Sequence, residues 1–179
     1  MKKIAFFLAV IVCAAVVLPS CGKDDTKPED TKSALTFNGT EFNPNSMCEL
    51  WHDNTEDYFK ISLWDGSLYL NTSFEVKGEG DWLTLILHKN SDIPVGTYTF
   101  GEDEEEEGFF YGYMKLGVYQ SAEGYTSNES SVYFTAGTLK VEATSDQYTY
   151  KITLDLTGDT GESYKGTVTV DFRYMMQVY

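Results

Sequence analysis

From Ala34 onward, apolar and polar residues alternate in short runs broken by Gly, Asp and Asn, with no stretch of helical period. A period of two marks strands that bury one face. The clearest section is 58–89. Asp65-Gly66 separates 58–64 from 67–76, and Gly78-Glu79-Gly80-Asp81 separates 67–76 from 82–89. Asp-Gly is a strong two-residue hairpin signal. The pattern therefore predicts a meander in which Trp64 pairs with Ser67, Leu63 with Leu68 and Ile61 with Leu70. The next turn pairs Val76 with Leu83, Phe74 with Leu85 and Thr72 with Leu87. Both registers gather the apolar partners on one face, as a half-buried sheet requires.

A second meander is predicted over 138–144, 148–156 and 164–172. Its inner face holds Leu139, Val141, Ala143, Tyr148, Tyr150, Ile152, Leu154, Leu156, Tyr164, Val168, Val170 and Phe172. Lys140, Glu142, Lys151, Thr153, Asp155, Thr167, Thr169 and Asp171 face outward. Thr157-Gly158-Asp159-Thr160-Gly161 supplies the turn. Shorter runs lie at 35–37, 47–51, 96–100, 109–119 and 131–136. The fold class is all-β, with antiparallel meanders of about ten strands. Two facing sheets (a β-sandwich) or one closed lipocalin-like barrel would bury both apolar faces.

The first 33 residues follow different rules. Met1-Lys2-Lys3 is basic, residues 4–18 are apolar and uncharged, and a small residue, Ser20, precedes Cys21. This is a secretory signal, too short for the roughly 20 apolar residues of a membrane span. Leu18-Pro19-Ser20-Cys21 resembles the lipobox of bacterial lipoproteins. The resemblance implies cleavage before Cys21 and acylation of its thiol, and each buried methylene of such chains contributes about 0.8 kcal/mol of anchoring. Gly22-Lys23-Asp24-Asp25 resembles the signal that sends lipoproteins of Bacteroides-like bacteria to the outer cell face. An acidic linker start would explain the same residues. The organisation read from the chain is a signal peptide over 1–20, a flexible acidic tether over 21–33 and one all-β domain over 34–179. The resemblance implies an outer membrane lipoprotein, held by lipid on Cys21 and exposed to the periplasm or the cell surface.

Charge supports that address. The chain has 13 Lys and Arg against 28 Asp and Glu. Loss of Lys2 and Lys3 with the leader leaves eleven basic side chains against 28 acidic, a formal charge of −17. Such a domain is unsuited to nucleic acid or to docking on anionic lipid. The lone cysteine left in the domain, Cys48, reads as a buried apolar thiol, although His52 lies four residues on. No metal-ligand spacing, nucleophile elbow or phosphate loop is present, and Arg173 is the sole arginine. No cofactor and no enzymatic activity are expected. The run Glu102 to Glu107 predicts an exposed loop, since like charges repel; calcium would relieve the repulsion, but no EF-hand spacing surrounds it.

The second half is similar to small secreted lipoproteins of the Bacteroides type. The residues that carry the resemblance are Ile93-Pro94-Val95-Gly96-Thr97-Tyr98, Gly137-Thr138-Leu139-Lys140-Val141, and the 150–156 strand with Gly161 and Gly166. It implies a sandwich or lipocalin-like domain and no reaction. The predicted outer face of the first meander brings together Tyr58, Lys60, Trp64, Tyr69, Asn71, Ser73, Trp82, Ile86 and His88. Of these, Tyr58, Trp64, Tyr69, Trp82 and His88 are the candidate ligand-binding residues. Rings beside amides and hydroxyls suit the C–H face and hydroxyls of a sugar, or a protein surface. A second stripe has Phe109, Tyr111, Tyr113 and Tyr119 on one parity and Phe110, Met114, Leu116 and Val118 on the other, which fits a central strand or a cavity wall. Three roles follow: a binding module for glycan or protein, a carrier of a small apolar ligand, or a structural subunit of an envelope assembly.

Overall fold

The computed structural model describes residues 34–45, 48–53, 57–73, 75–101, 106–121 and 126–172, with the backbone of 174–178. The signal peptide, Cys21, the tether, Phe74, the 102–105 part of the acidic run and Arg173 lie outside the described residues. Among the described residues there are thirteen strands and no helix. They are β1 (Ala34–Phe37), β2 (Thr40–Phe42), β3 (Glu49–Asp53), β4 (Tyr58–Trp64), β5 (Tyr69–Leu70), β6 (Val76–His88), β7 (Gly96–Phe100), β8 (Phe109–Gln120), β9 (Thr126–Ser127), β10 (Ser130–Ala143), β11 (Thr149–Gly158), β12 (Ser163–Asp171) and β13 (Tyr174–Val178).

The sheet runs β13-β3-β4-β6-β8-β7-β10-β11-β12-β1-β2, with β5 attached to β6 and β9 to β8. It is mixed rather than purely antiparallel, because β13 runs parallel to β3 and β7 parallel to β8. The direction of β7 is set by its pairing with β10 from Thr138↔Thr99 to Val141↔Gly96, which outnumbers its two pairs with β8. The sheet must also curl. β12 ends at Asp171 and β13 starts at Tyr174, yet they lie near opposite ends of the strand order. Three peptide units span at most about 11 Å, so those ends are brought close. The first half of β10 crosses back onto β8 at Ser130↔Leu116 to Tyr133↔Tyr113. The curled sheet is not closed into a barrel. The result is sandwich-like, with one core between the halves.

That core takes the odd residues of β4 and β6 (Phe59, Ile61, Leu63, Leu83, Leu85, Leu87) against Leu139, Val141, Ile152, Leu154 and Leu156. The second meander keeps its predicted order and inner face, apart from its ends: Ala143 and Tyr148 are exposed around the β10–β11 turn. The first meander is corrected. β4 pairs directly with β6, from Tyr58↔His88 to Trp64↔Trp82, so Ile61 meets Leu85 rather than Leu70. The Asp65 carbonyl does accept from the Leu68 N–H, making a turn, but no hairpin follows from it. The hairpin joins β5 to β6, where Asn71 Oδ1 accepts from the Ser73 and Glu75 N–H groups. Asn side chains organise such turns by replacing a backbone acceptor. The excursion after Trp64 then folds over the outside of the sheet, where Leu68 and Leu70 cover Trp64 and Val118. Gly78, predicted to sit in a turn, is inside β6; a Cβ there would strike the Ser67 carbonyl oxygen.

Candidate ligand-binding face

The even residues of β4 and β6 point away from the core, and the strand pairings turn them into rows. Trp64, Trp82 and Lys115 form the first row; Glu49, Ser62, Thr84 and Tyr113 the second; Trp51, Lys60, Ile86 and Tyr111 the third; Asp53, Tyr58 and His88 the fourth. Tyr133 extends the second row through its pairing with Tyr113.

The rings form a nearly continuous surface. Trp51 meets Tyr58 edge-on at 5.9 Å between centroids, Tyr58 lies 6.3 Å from His88, and His88 stacks on Tyr111 at 6.0 Å. Tyr113 and Tyr133 are 6.1 Å apart. Lys60 Nζ sits 5.7 Å from the Trp51 ring centre, and Lys115 Nζ sits 5.5 Å from both Trp82 and Tyr113. An ammonium over a ring face is held by the ring quadrupole.

Beneath this surface the polar groups are not satisfied. Ser62 and Thr84 face each other across β4 and β6, both are fully buried, and neither hydroxyl has a hydrogen-bond partner. The Trp64 and Trp82 indole N–H groups, in the adjoining row, also lack partners. A buried polar group without a partner costs about 1–3 kcal/mol. Four of them on one patch of sheet is a concentration that packing alone would disfavour. Glu49 is also buried here, and burial raises its carboxyl pKa while Lys60 pulls it back down in part.

The sequence-predicted residues are distributed unevenly over this face. Tyr58, Trp82 and His88 lie on it as expected. Trp64 shares the face but is covered completely, so it supports Trp82, which it meets edge-on at 5.8 Å. Tyr69 is exposed on β5 and makes no ring contact with Tyr58, Trp64 or Trp82. Asn71 and Ser73 belong to the outer turn, not to cross-strand rows. Sequence reasoning missed Trp51, Ser62, Thr84 and Lys115 and placed Tyr111 and Tyr113 on a separate stripe. The available signal was parity: once β6 pairs with β8, the odd residues of 111–115 join the even residues of β6.

Cys48 and His52 form no reactive pair. The Cys48 Sγ lies 3.4 Å from the Trp64 N–H and 3.2 Å from the Asn45 carbonyl, and burial pushes its thiol pKa up to about 12. His52 stacks on Phe59 on the core side, with centroids 4.1 Å apart, and burial lowers its pKa against the pull of Asp92, Asp53 and Asp57. Four residues of strand separate the two by about 13 Å. Among the described residues no group of three His, Cys, Asp or Glu side chains could hold a metal ion. A cleft of about 690 Å³ opens elsewhere, with Phe37, Phe42 and Tyr164 in its wall and Asp81, Glu129 and Glu162 beside them.

Fold and face together define an all-β, sandwich-like protein with a ring-lined outer sheet. No family model, curated protein or solved structure matches the chain.

Proposed function

We propose that this chain is a lipid-anchored protein of the bacterial outer membrane that binds glycan through the outward face of β3, β4, β6 and β8. The observation that carries the reading is the ring surface of Trp51, Tyr58, His88, Tyr111, Tyr113 and Tyr133, which sets polar ring tips beside apolar ring faces. Sugar rings present C–H faces that pack on aromatic rings and hydroxyls that need donors and acceptors. The role is binding rather than catalysis. The carrier reading has less support: the core side of the sheet is filled by Phe59, Ile61, Leu63, Leu83, Leu85 and Leu87, each with no exposed surface. The 690 Å³ cleft sets Asp81, Glu129 and Glu162 beside its aromatic wall, and those carboxylates suit an apolar ligand poorly.

A glycan array with the full chain tests the binding reading. Trp51→Ala and Tyr113→Ala should each weaken a positive signal about tenfold with the circular dichroism spectrum unchanged. An empty array, together with a pull-down that captures an envelope protein, would replace the glycan reading with a structural one. The anchor has its own test: Cys21→Ser should abolish fatty-acid labelling and release the protein from the membrane fraction. Labelling that survives the substitution would remove the lipid from the reading.

A further inference from the structure

The chain is strongly acidic, and most of its described lysines are spoken for. Lys77 pairs with Glu75, Lys89 with Glu107, Lys140 and Lys151 with Glu142, and Lys165 with Asp155. Among the described residues, Lys60 and Lys115 make no ion pair with a carboxylate. Both lie on the ring-lined face, each with its ammonium over aromatic rings. Lys60 acts on the buried Glu49 carboxyl but forms no salt bridge with it.

From this placement we infer that the glycan is acidic, a saccharide whose anionic substituents are taken by Lys60 and Lys115 while its rings pack on Trp51, Trp82 and Tyr113. The inference rests on the glycan-binding reading above. Lys60 stands two rows from Lys115 and two strands away, about 16 Å between Cα atoms by strand geometry. One sugar ring does not bridge that distance, so the ligand is an oligomer or polymer with repeated acidic groups. Glu49 and Asp53 share rows of this face and are both buried, and Asp81, beside Trp82, accepts from the Gly117 N–H. At physiological salt the screening length is about 8 Å, so an anion on this face feels the two ammonium groups far more than carboxylates across the domain.

The test uses the full chain and measures affinity for carboxylate polysaccharides (polygalacturonate, alginate, hyaluronan), for methyl-esterified polygalacturonate, for dextran sulfate and dextran, and for poly-L-glutamate. Binding to a carboxylate polymer is expected, about tenfold weaker for the esterified form. Lys60→Gln and Lys115→Gln should each lose about tenfold toward the acidic polymer and nothing toward a neutral one, while Lys115→Arg retains binding. Preference for dextran sulfate over dextran would assign the anion as a sulfate ester and also support the inference. Equal affinity for esterified and free polygalacturonate would overturn it while leaving the glycan-binding reading intact. Poly-L-glutamate binding as tightly as any polysaccharide would overturn it in favour of an acidic peptide. No binding to any saccharide, charged or neutral, would overturn both.

Discussion

Thr84→Val should make this protein more stable. Thr84 sits in the middle of β6, fully buried on the outward face, with no partner for its hydroxyl. Valine keeps the branched shape and the strand preference but removes the oxygen. What is gained is the desolvation penalty of an unpartnered hydroxyl, about 1–3 kcal/mol. Some of that returns as imperfect packing of the new methyl group, so about 1 kcal/mol net is expected. For a domain of this size that raises the melting temperature by about 3 °C. Urea denaturation is the assay, and the midpoint should rise with an unchanged slope. Ser62→Ala should act in the same direction by less, since alanine is a weaker strand former. The two residues face each other in register, so the double variant reports any coupling between their hydroxyls. Destabilisation of Thr84→Val by about 1 kcal/mol or more would refute the reasoning, because it would mean that the hydroxyl is bonded in the native state.

Three further outcomes are expected. Cys48, with its thiol pKa pushed up to about 12, should resist iodoacetamide at pH 8 in the native protein and react on unfolding; peptide mass spectrometry reads the site, and native labelling would contradict its burial. Glu49 has a folded pKa above the ordinary 4.5, so the associated stability is complete below pH 4.5 and is lost as pH rises through the folded value; Glu49→Gln should therefore raise the urea midpoint at pH 7 and leave it unchanged at pH 4. Gly112→Ala should cost about 3 kcal/mol, because the new Cβ would strike the Thr84 carbonyl oxygen and crowd Leu85 on the neighbouring strand, and a melting temperature within error of the parent would show that β6 and β8 can separate there.

The second meander was readable almost residue by residue. Its turns join strands that are neighbours in sequence, so local chemistry at Thr157 to Gly161 also selects the partner strand. The first meander was not. Asp65-Gly66 signals a hairpin strongly, but Asn71 organises a competing turn a few residues later. Folding 65–73 outward buries Leu68 and Leu70 on Trp64 and Val118, which a flat added strand would leave wet. The face assignment survived the wrong pairing, because the true and predicted registers have the same parity: Tyr58, Lys60, Trp64, Trp82, Ile86 and His88 point outward in both. Asn71 and Ser73 dropped out, and Tyr111, Tyr113 and Lys115 came in from a strand that sequence reasoning had placed elsewhere.

The sequence by itself determined which side of each strand is apolar, since alternation is set by backbone geometry within a few bonds. It determined the all-β class for the same reason. Only the tertiary structure decided which strands are neighbours, and hence that two lysines set over aromatic rings, two buried hydroxyls and a set of rings share one face. Strand partnership is a competition among distant apolar surfaces for burial, and no local pattern records its winner.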